Sequence, residues 1–358
     1  MNYNTFRRKT KTVSVGKLTV GGDAPISIQS MTNVDTHDVF ACLEQIKSLE
    51  RAGCDIVRLA VPDAEAAKSF RELKKLGVSL PLVADIHFDY KIALAAIEAG
   101  ADKIRINPGN IGDKAKIREV TLAAKERGLP IRIGVNSGSL EKEILAKYGA
   151  PTAEALAESA LFHASLLEEF DFTDVVISVK ASDTLSMIRA NRILAEKTEY
   201  PLHLGVTEAG AGMRAVTKSS IGIGALLSEG IGDTVRVSLT DKPEEEIKAA
   251  REILFAVGVS KKRGMDIVSC PTCGRTKIDL IKISREFEKA AEEEGLLDKP
   301  LKVALMGCVV NGPGEAREAD VGIAGGKGEG LLFKNGEIIR KIKEDELVSE
   351  IIREIKLM

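Results

Sequence analysis

The chain has 358 residues, 44% apolar and 29% charged, with a formal net charge of −2. That length suits two domains, one of them of barrel size, and the composition suits a soluble protein with a large core. A near-neutral charge, no tryptophan and 4% aromatic residues exclude the basic footprint and the stacking surface that nucleic-acid binding requires.

Arg7, Arg8, Lys9 and Lys11 mark the N-terminus without an apolar segment behind them, so no signal peptide is expected. No apolar run approaches the ~18 residues of a membrane span. Five cysteines in such a chain point to the reducing cytoplasm. There a Cys-x-x-Cys pair signals metal or redox chemistry rather than a disulfide frame.

In chain order, Val13 and Val15, then Gly16-Lys17, then Leu18 and Val20 read as a β-hairpin. Eight apolar runs follow, at 26–31, 56–61, 82–86, 103–107, 131–136, 175–180, 202–207 and 234–239, each with a helical stretch behind it. Near-continuous Val/Ile/Leu runs are what parallel strands covered on both faces require. Val39, Cys42, Leu43, Ile46 and Leu49 already show the helical spacing after the first run. A weak repeat opens three strands: Gly53-x-Asp55-x-x-Arg58, Gly100-x-Asp102-x-x-Arg105 and Gly230-x-x-Asp233-x-x-Arg236.

Eight such units predict a (β/α)₈ TIM-type barrel over residues 1–258, with the hairpin plugging its bottom. A doubly wound sheet is less suitable, because no Gly-x-Gly-x-x-Gly follows the first strand. The alternation stops at 259–264, which reads as a linker. Residues 265–358 predict a small α+β domain: a helix at 278–294, strands at 302–307, 320–324, 330–333 and 337–342, and a last helix at 344–356. Asn335-Gly336 is its clearest hairpin turn.

Chemistry concentrates in two places. Ser269-Cys270-Pro271-Thr272-Cys273-Gly274 pairs with Cys308 in Gly307-Cys308-Val309-Val310-Asn311-Gly312-Pro313-Gly314-Glu315. Three thiolates on turns suit one soft metal centre. A structural zinc normally takes four Cys or His ligands, yet no His follows His203. A [4Fe–4S] cluster, with Glu315 as candidate fourth ligand, suits the count better. Cys42 on an apolar stripe and Cys54 beside a strand read as packing residues.

The second place is inside the strands. Arg58, Arg105, Arg132, Lys180 and Arg236 interrupt apolar runs. Burying such cations unpaired costs several kcal/mol each by order of magnitude. Period-2 parity groups Asp85 with His87, Arg105 with Asn107, Arg132 with Asn136, Ser178 with Lys180 and Arg236 with Ser238. They form a polar ring at the barrel's C-terminal mouth, where barrel enzymes hold their sites. With Asp85 and Glu208 as the carboxylates, the ring keeps an excess of positive charge, and forked guanidiniums suit a diphosphate. The competing expectation is that Asp55, Asp102 and Asp233 neutralise the arginines three residues on. Strand geometry sends those pairs to opposite faces. Gly325–Gly330 reads as a hairpin loop rather than a phosphate loop, and His163 as structural. His37 fits either a structural or a functional role.

At these residues the chain resembles the bacterial 4-hydroxy-3-methylbut-2-enyl diphosphate synthase family. The resemblance covers essentially the whole chain. It rests most on Ser-Cys-Pro-Thr-Cys-Gly-Arg (269–275) and Met-Gly-Cys-Val-Val-Asn-Gly-Pro-Gly-Glu-Ala (306–316). Support comes from Gln29-Ser30-Met31-Thr32-Asn33, Ala84-Asp85-Ile86-His87, Arg105-Ile106-Asn107-Pro108-Gly109-Asn110 and Gly205-Val206-Thr207-Glu208-Ala209-Gly210. Val34 stands where the family pattern has Thr, a loop difference, and the long insertion of plant-type members is absent.

The resemblance implies reductive ring opening of 2-C-methyl-D-erythritol 2,4-cyclodiphosphate to the linear allylic diphosphate. The substrate gains two electrons and loses its C3 oxygen as water. The implied cluster ligands are Cys270, Cys273, Cys308 and a dissociable Glu315, and reduced ferredoxin or flavodoxin is the implied donor. Glu208 is the expected proton source for the departing oxygen. The last barrel helix ends at the bottom face, while the substrate site lies at the top. The family therefore also implies a head-to-tail homodimer, in which each cluster closes a partner's barrel. A non-redox barrel enzyme on a phosphorylated or pterin-like substrate, with a zinc-stapled tail, is the main alternative. A non-catalytic iron–sulfur carrier is a second, but it leaves the charged mouth unexplained.

Overall fold

The computed structural model describes residues 6–259, 264–309 and 317–358. The chain divides into two units, Met1–Ser260 and Lys261–Met358, and residues 260–263 of the expected linker lie outside the described part. In the first unit a hairpin, β1 (Val13–Val15) and β2 (Leu18–Val20), precedes eight parallel strands. These are β3 (Ser27–Met31), β4 (Ile56–Ala60), β5 (Leu82–Asp85), β6 (Lys103–Ile106), β7 (Ile131–Asn136), β8 (Val175–Lys180), β9 (His203–Leu204) and β10 (Thr234–Val235). They pair in sequence order, β10 returns to β3, and an Ile177–Leu202 bridge closes β8 to the start of β9. The result is the expected (β/α)₈ barrel.

Helices α1 (Val39–Ala52), α2 (Ala64–Lys75) and α3 (Tyr90–Glu98) follow β3 to β5. Two crossovers carry an extra helix at the mouth: α4 (Pro108–Ile111) before α5 (Lys114–Glu126), and α6 (Lys142–Tyr148) before α7 (Ala153–Glu168). The circuit ends with α8 (Thr184–Lys197), α9 (Gly212–Ser228) and α10 (Pro243–Ala256). Asp38, Asp63, Asp89, Asp113 and Asp183 each accept a backbone N–H at a helix start, satisfying donors that the helix itself leaves open.

Val15 and Val20 of the hairpin pack on Ile56 and Val83, low in β4 and β5, so the hairpin does plug the bottom. The repeated aspartates have a different job from neutralising arginine. Asp55 Oδ2 accepts from Ile28 N at 2.7 Å, Asp102 Oδ2 from Leu82 N at 2.7 Å, and Asp233 Oδ2 from Leu202 N at 2.8 Å. Each aspartate thus stitches the start of one strand to the strand before it. Their cationic partners also lie off the strands: Lys74 Nζ is 2.5 Å from Asp102, and Arg7 is 2.8 Å from Asp233.

Asp102→Ala is expected to cost about 1–3 kcal/mol, because the Leu82 N–H loses its acceptor while half-enclosed. A shift of the denaturation midpoint with unchanged slope would measure it. A loss of activity at full stability would instead place Asp102 in the site.

Two runs are shorter as ladders than expected. Regular pairing covers His203–Leu204 and Thr234–Val235, against expected runs of 202–207 and 234–239. Pro201 has no N–H to give, and Gly205 has no side chain to pack.

The second unit is a five-stranded sheet: β11 (Asp266–Ser269), β12 (Lys302–Met306), β13 (Val321–Gly325), β14 (Glu329–Lys334) and β15 (Glu337–Lys343). The first three run parallel and the last two antiparallel. Helices α11 (Leu280–Glu293) and α12 (Leu347–Lys356) bury Phe287, Ile351 and Ile355 against it. Asn335 and Gly336, with φ of 51° and 80°, make the tight turn between β14 and β15. Gly325–Gly330 is a hairpin connection, as expected. β11 went unrecognised in the sequence. It is a half-exposed edge strand of four residues, too short to show periodicity.

Candidate active site

Register decides which side chains enter the barrel. Met31 pairs with Arg58, Arg58 with Val83, and Val83 with Lys103. One layer higher, Ala60, Asp85, Arg105 and Arg132 align. Gly134 aligns with Ser178, and Asn136 with Lys180, towards the mouth. The alternate residues Val57, Leu59, Ile104, Ile131 and Ile133 are wholly buried in the outer core. Parity thus separates a polar interior from an apolar exterior, as the sequence implied.

Asp85 is the hub. Arg105 Nη1 donates to its Oδ1 at 3.2 Å, and Arg58 Nε lies 3.7 Å from Oδ2. Arg105 Nη1 is also 3.2 Å from His87 Nε2, and its Nη2 donates to the Gly134 carbonyl at 3.3 Å. A Cβ at Gly134 would come within 2.2 Å of Arg105 Nε, so the guanidinium requires glycine there. Burial pushes the Asp85 carboxyl up, but Arg58, Arg105, His87 and Arg132 outweigh it and hold it below its ordinary range.

The other cations are poorly served. Arg58 directs Nε and Nη2 at the Met31 thioether, 3.1 and 2.9 Å away, a weak acceptor. Arg132, 1% exposed, and Lys180 and Lys103 have no hydrogen-bond or ion-pair partner among the described residues. Burial brings Arg58 down to about 10 against the pull of Asp85. Burial and the neighbouring cations push Arg132, Lys180 and Lys103 well below their ordinary values. A polyanion in the mouth would relieve both penalties.

Arg236 departs from expectation. It donates to both oxygens of Glu246, at 3.3 and 3.1 Å, and Glu246 also accepts from Ser30 Oγ at 2.9 Å. Glu246, not Glu208, is thus the ring's second paired carboxylate. It stands among Glu244, Glu245 and Glu246 in the first turn of α10, where acidic residues commonly complement the helix dipole and so give no signal of a site. Lys103 was also missed, although its parity with Arg105 and Asn107 could have revealed it.

Asn107 caps α4, accepting from Gly109 N at 3.1 Å and donating to the Ser139 carbonyl at 3.4 Å. Asn136 donates its N–H to Ser139 Oγ at 3.1 Å. Ser178 is buried beside Lys180, and Ser238 is half-buried above Arg236. Glu208 is exposed with φ of 52°, a left-handed conformation that a non-glycine residue adopts at some cost. His37 bridges Asp35 at 2.7 Å and Asp63 at 3.1 Å on the surface.

In the second unit Cys270 follows β11 and Cys308 follows β12, at the same end of adjacent parallel strands. Gly307 N donates to Cys270 Sγ at 3.2 Å, and Thr276 Oγ1 accepts from Cys273 N at 3.1 Å. A backbone hydrogen bond and the charge of Arg275 hold the exposed Cys273 thiol below its ordinary range. By contrast, burial pushes Cys42 up to about 11 and Cys54 up to about 12.

Donors aimed at the sulfurs and an exposed, acidified thiol fit thiolate ligation of a soft metal centre. Among the described residues no three His, Cys, Asp or Glu side chains close to metal-binding distance. Glu315 lies outside those residues.

The barrel mouth and the thiol-bearing sheet together define a (β/α)₈ protein built for an anionic ligand, with an appended domain suited to a soft metal centre. Residues 10–251 match the GcpE TIM-barrel domain and residues 266–357 the GcpE protein C-terminal domain. The chain belongs to the GcpE family.

It is 60% identical over 352 residues to the 4-hydroxy-3-methylbut-2-en-1-yl diphosphate synthase (flavodoxin) of Clostridium acetobutylicum, covering 98% of this chain and 99% of that protein. The enzyme of the same name from Caldanaerobacter subterraneus is 57% identical, covering 99% and 98%. Among solved structures, Plasmodium falciparum HPPK-DHPS aligns with a TM-score of 0.51 at 10% identity, covering 70% of this chain and 51% of that one. That likeness shows the barrel fold alone. The relatives' names match the diphosphate synthase reading and not the zinc-tailed alternative.

Proposed function

We propose that this protein reductively opens 2-C-methyl-D-erythritol 2,4-cyclodiphosphate to 4-hydroxy-3-methylbut-2-enyl diphosphate, in the cytoplasm. Reduced flavodoxin, the donor in its relatives' names, would supply electrons, with ferredoxin the alternative. The observation that carries the reading is the under-satisfied cation set around Asp85 at the barrel mouth. Among the described residues no helix is long and apolar enough to cross a membrane.

In this reading Arg58, Arg105, Arg132 and Lys180 grip the diphosphate, and Asp85 with His87 fixes the Arg105 fork. Asn107, Asn136, Ser178 and Ser238 complete the oxygen contacts, and Arg236 contributes through its Glu246-held guanidinium. Glu208 holds the proton for the departing C3 oxygen, and its left-handed backbone is the kind of local strain that accompanies function. A [4Fe–4S] cluster on Cys270, Cys273, Cys308 and Glu315 would supply the two electrons singly.

Anaerobically purified protein is expected to be brown and to consume the cyclic diphosphate with reduced viologen. A colourless zinc protein without turnover would overturn the reading.

The subunits are proposed to pair head to tail. α10 descends to the bottom of the barrel, and from Gly258 to Cys270 the chain reaches roughly 40 Å when fully extended. A partner's tail meets the mouth without that climb. Mixing Arg105→Ala subunits with Cys308→Ser subunits is then expected to restore activity, since each mixed dimer holds one intact barrel facing one intact cluster. Exchange confirmed by mass, with no recovery of activity, would show that each chain serves itself.

A further inference from the structure

His163 is wholly buried on α7, a helix whose other buried residues are Ala153, Ala155, Leu156, Ala157, Ser159, Ala160, Ala164 and Leu167. An imidazole on so apolar a face needs a reason. Its Nε2 meets Glu141 Oε1, on the loop between β7 and α6. Burial pushes the Glu141 carboxyl up, but the proximity of His163 and Ser159 outweighs it and holds it below its ordinary range. Pairs of this kind add little net stability and serve best to fix one arrangement.

What they fix lies directly above. Gly109, in the short helix α4 of the β6 crossover, rests on the contact itself: a Cβ there would stand 3.0 Å from His163 Cε1 and 3.1 Å from Glu141 Oε1. Gly109 N is held by Asn107 Oδ1, and Asn107 Nδ2 reaches across to the Ser139 carbonyl in the loop after β7. Ser139 in turn holds the backbone of Asn136. The loops after β6 and β7 therefore share one buried anchor.

We propose that His163 and Glu141 are positioning residues that latch these two mouth loops together and so aim Asn107 and Asn136 at the substrate. The aim, though not the latch, rests on the reading that both asparagines face the diphosphate. Neither His163 nor Glu141 touches substrate in this account.

The test uses the full chain with its cluster, in four variants: Glu141→Gln, which is nearly isosteric, His163→Phe, His163→Gln, which keeps a donor, and Asn107→Ala as control. Hydrogen exchange of residues 109–111 and 137–140 is expected to quicken about tenfold in both loops together in Glu141→Gln and His163→Phe, while β4 and β5 stay protected. His163→Gln is expected to recover most of the protection. KM for the cyclic diphosphate should rise about tenfold in the two loosened variants, with kcat within about threefold.

Should His163→Phe fail to fold, Glu141→Gln carries the test alone. Unchanged exchange in Glu141→Gln, or loosening of one loop only, overturns the latch. A raised KM in Asn107→Ala beside an unchanged KM in the loosened variants overturns the positioning role. Coupled loosening with KM unchanged in every variant, Asn107→Ala included, upholds the latch and rejects instead the placement of the asparagines against substrate.

Discussion

Cys308→Ser is expected to give a folded, colourless protein whose turnover falls by at least about a hundredfold, and Cys270→Ser and Cys273→Ser the same. Serine keeps the volume but not the thiolate, and residues 261–358 hold no further cysteine to replace it. Cys42 and Cys54 are the controls. Burial pushes them up to about 11 and about 12, and their sulfurs donate to the Asp35 and Ile56 carbonyls. A thiol held protonated in an apolar wall is inert to metal, so Cys42→Ser and Cys54→Ser should keep both colour and rate. Iron content and visible absorption, read beside turnover and a melting curve, separate loss of the centre from loss of the fold. Bleaching by Cys42→Ser with Cys308→Ser unaffected would reassign the site.

Arg105→Ala should reduce kcat/KM by roughly 2–4 kcal/mol, mostly as a rise in KM, because a desolvated charge-assisted contact disappears. The same change strips Asp85 of its nearest partner, at 3.2 Å, and leaves that carboxylate beside Arg58 at 3.7 Å. Two companions divide the effect. Gly134→Ala retains the guanidinium but drives a methyl towards Arg105 Nε, so it should lower kcat/KM through misplacement alone. Asp85→Asn retains shape but removes the counter-charge, which frees Arg105 while loosening its aim. A wild-type rate in Arg105→Ala would mean that this arginine serves Asp85 and not the substrate. Initial rates over substrate concentration, with thermal melts of each variant, decide between these outcomes.

The barrel was legible because its signals are redundant. Eight apolar runs, parity within them, and charged residues on one parity only all point to the same interior, and Arg58, Arg105, Arg132 and Lys180 lie where alternation puts them. Pairings were not legible. Arg236 finds Glu246 ten residues on through a turn and a helix start, and a one-dimensional pattern carries no record of that approach. The extra helices α4 and α6, four and seven residues long, are likewise shorter than any period that would expose them. In the second unit the thiols stood out by spacing, while β11 did not, because four partly exposed residues are too few to show a period.

The aspartate stitches bear on how such a chain assembles. Each spans a single unit of the repeat: 27 residues from Ile28 to Asp55, 20 from Leu82 to Asp102, and 31 from Leu202 to Asp233. Lys302 and Asp320 repeat the device over 18 residues in the second sheet. A parallel pair slipped by one residue would turn its arginines into the outer core and its isoleucines into the mouth. An acceptor that recognises one N–H fixes the offset as soon as both strands exist, at the loop-closure cost of one crossover. In the three stitched barrel pairs the offset is thus specified within a single crossover, whereas the Ile177–Leu202 bridge carries no such aspartate among the described residues.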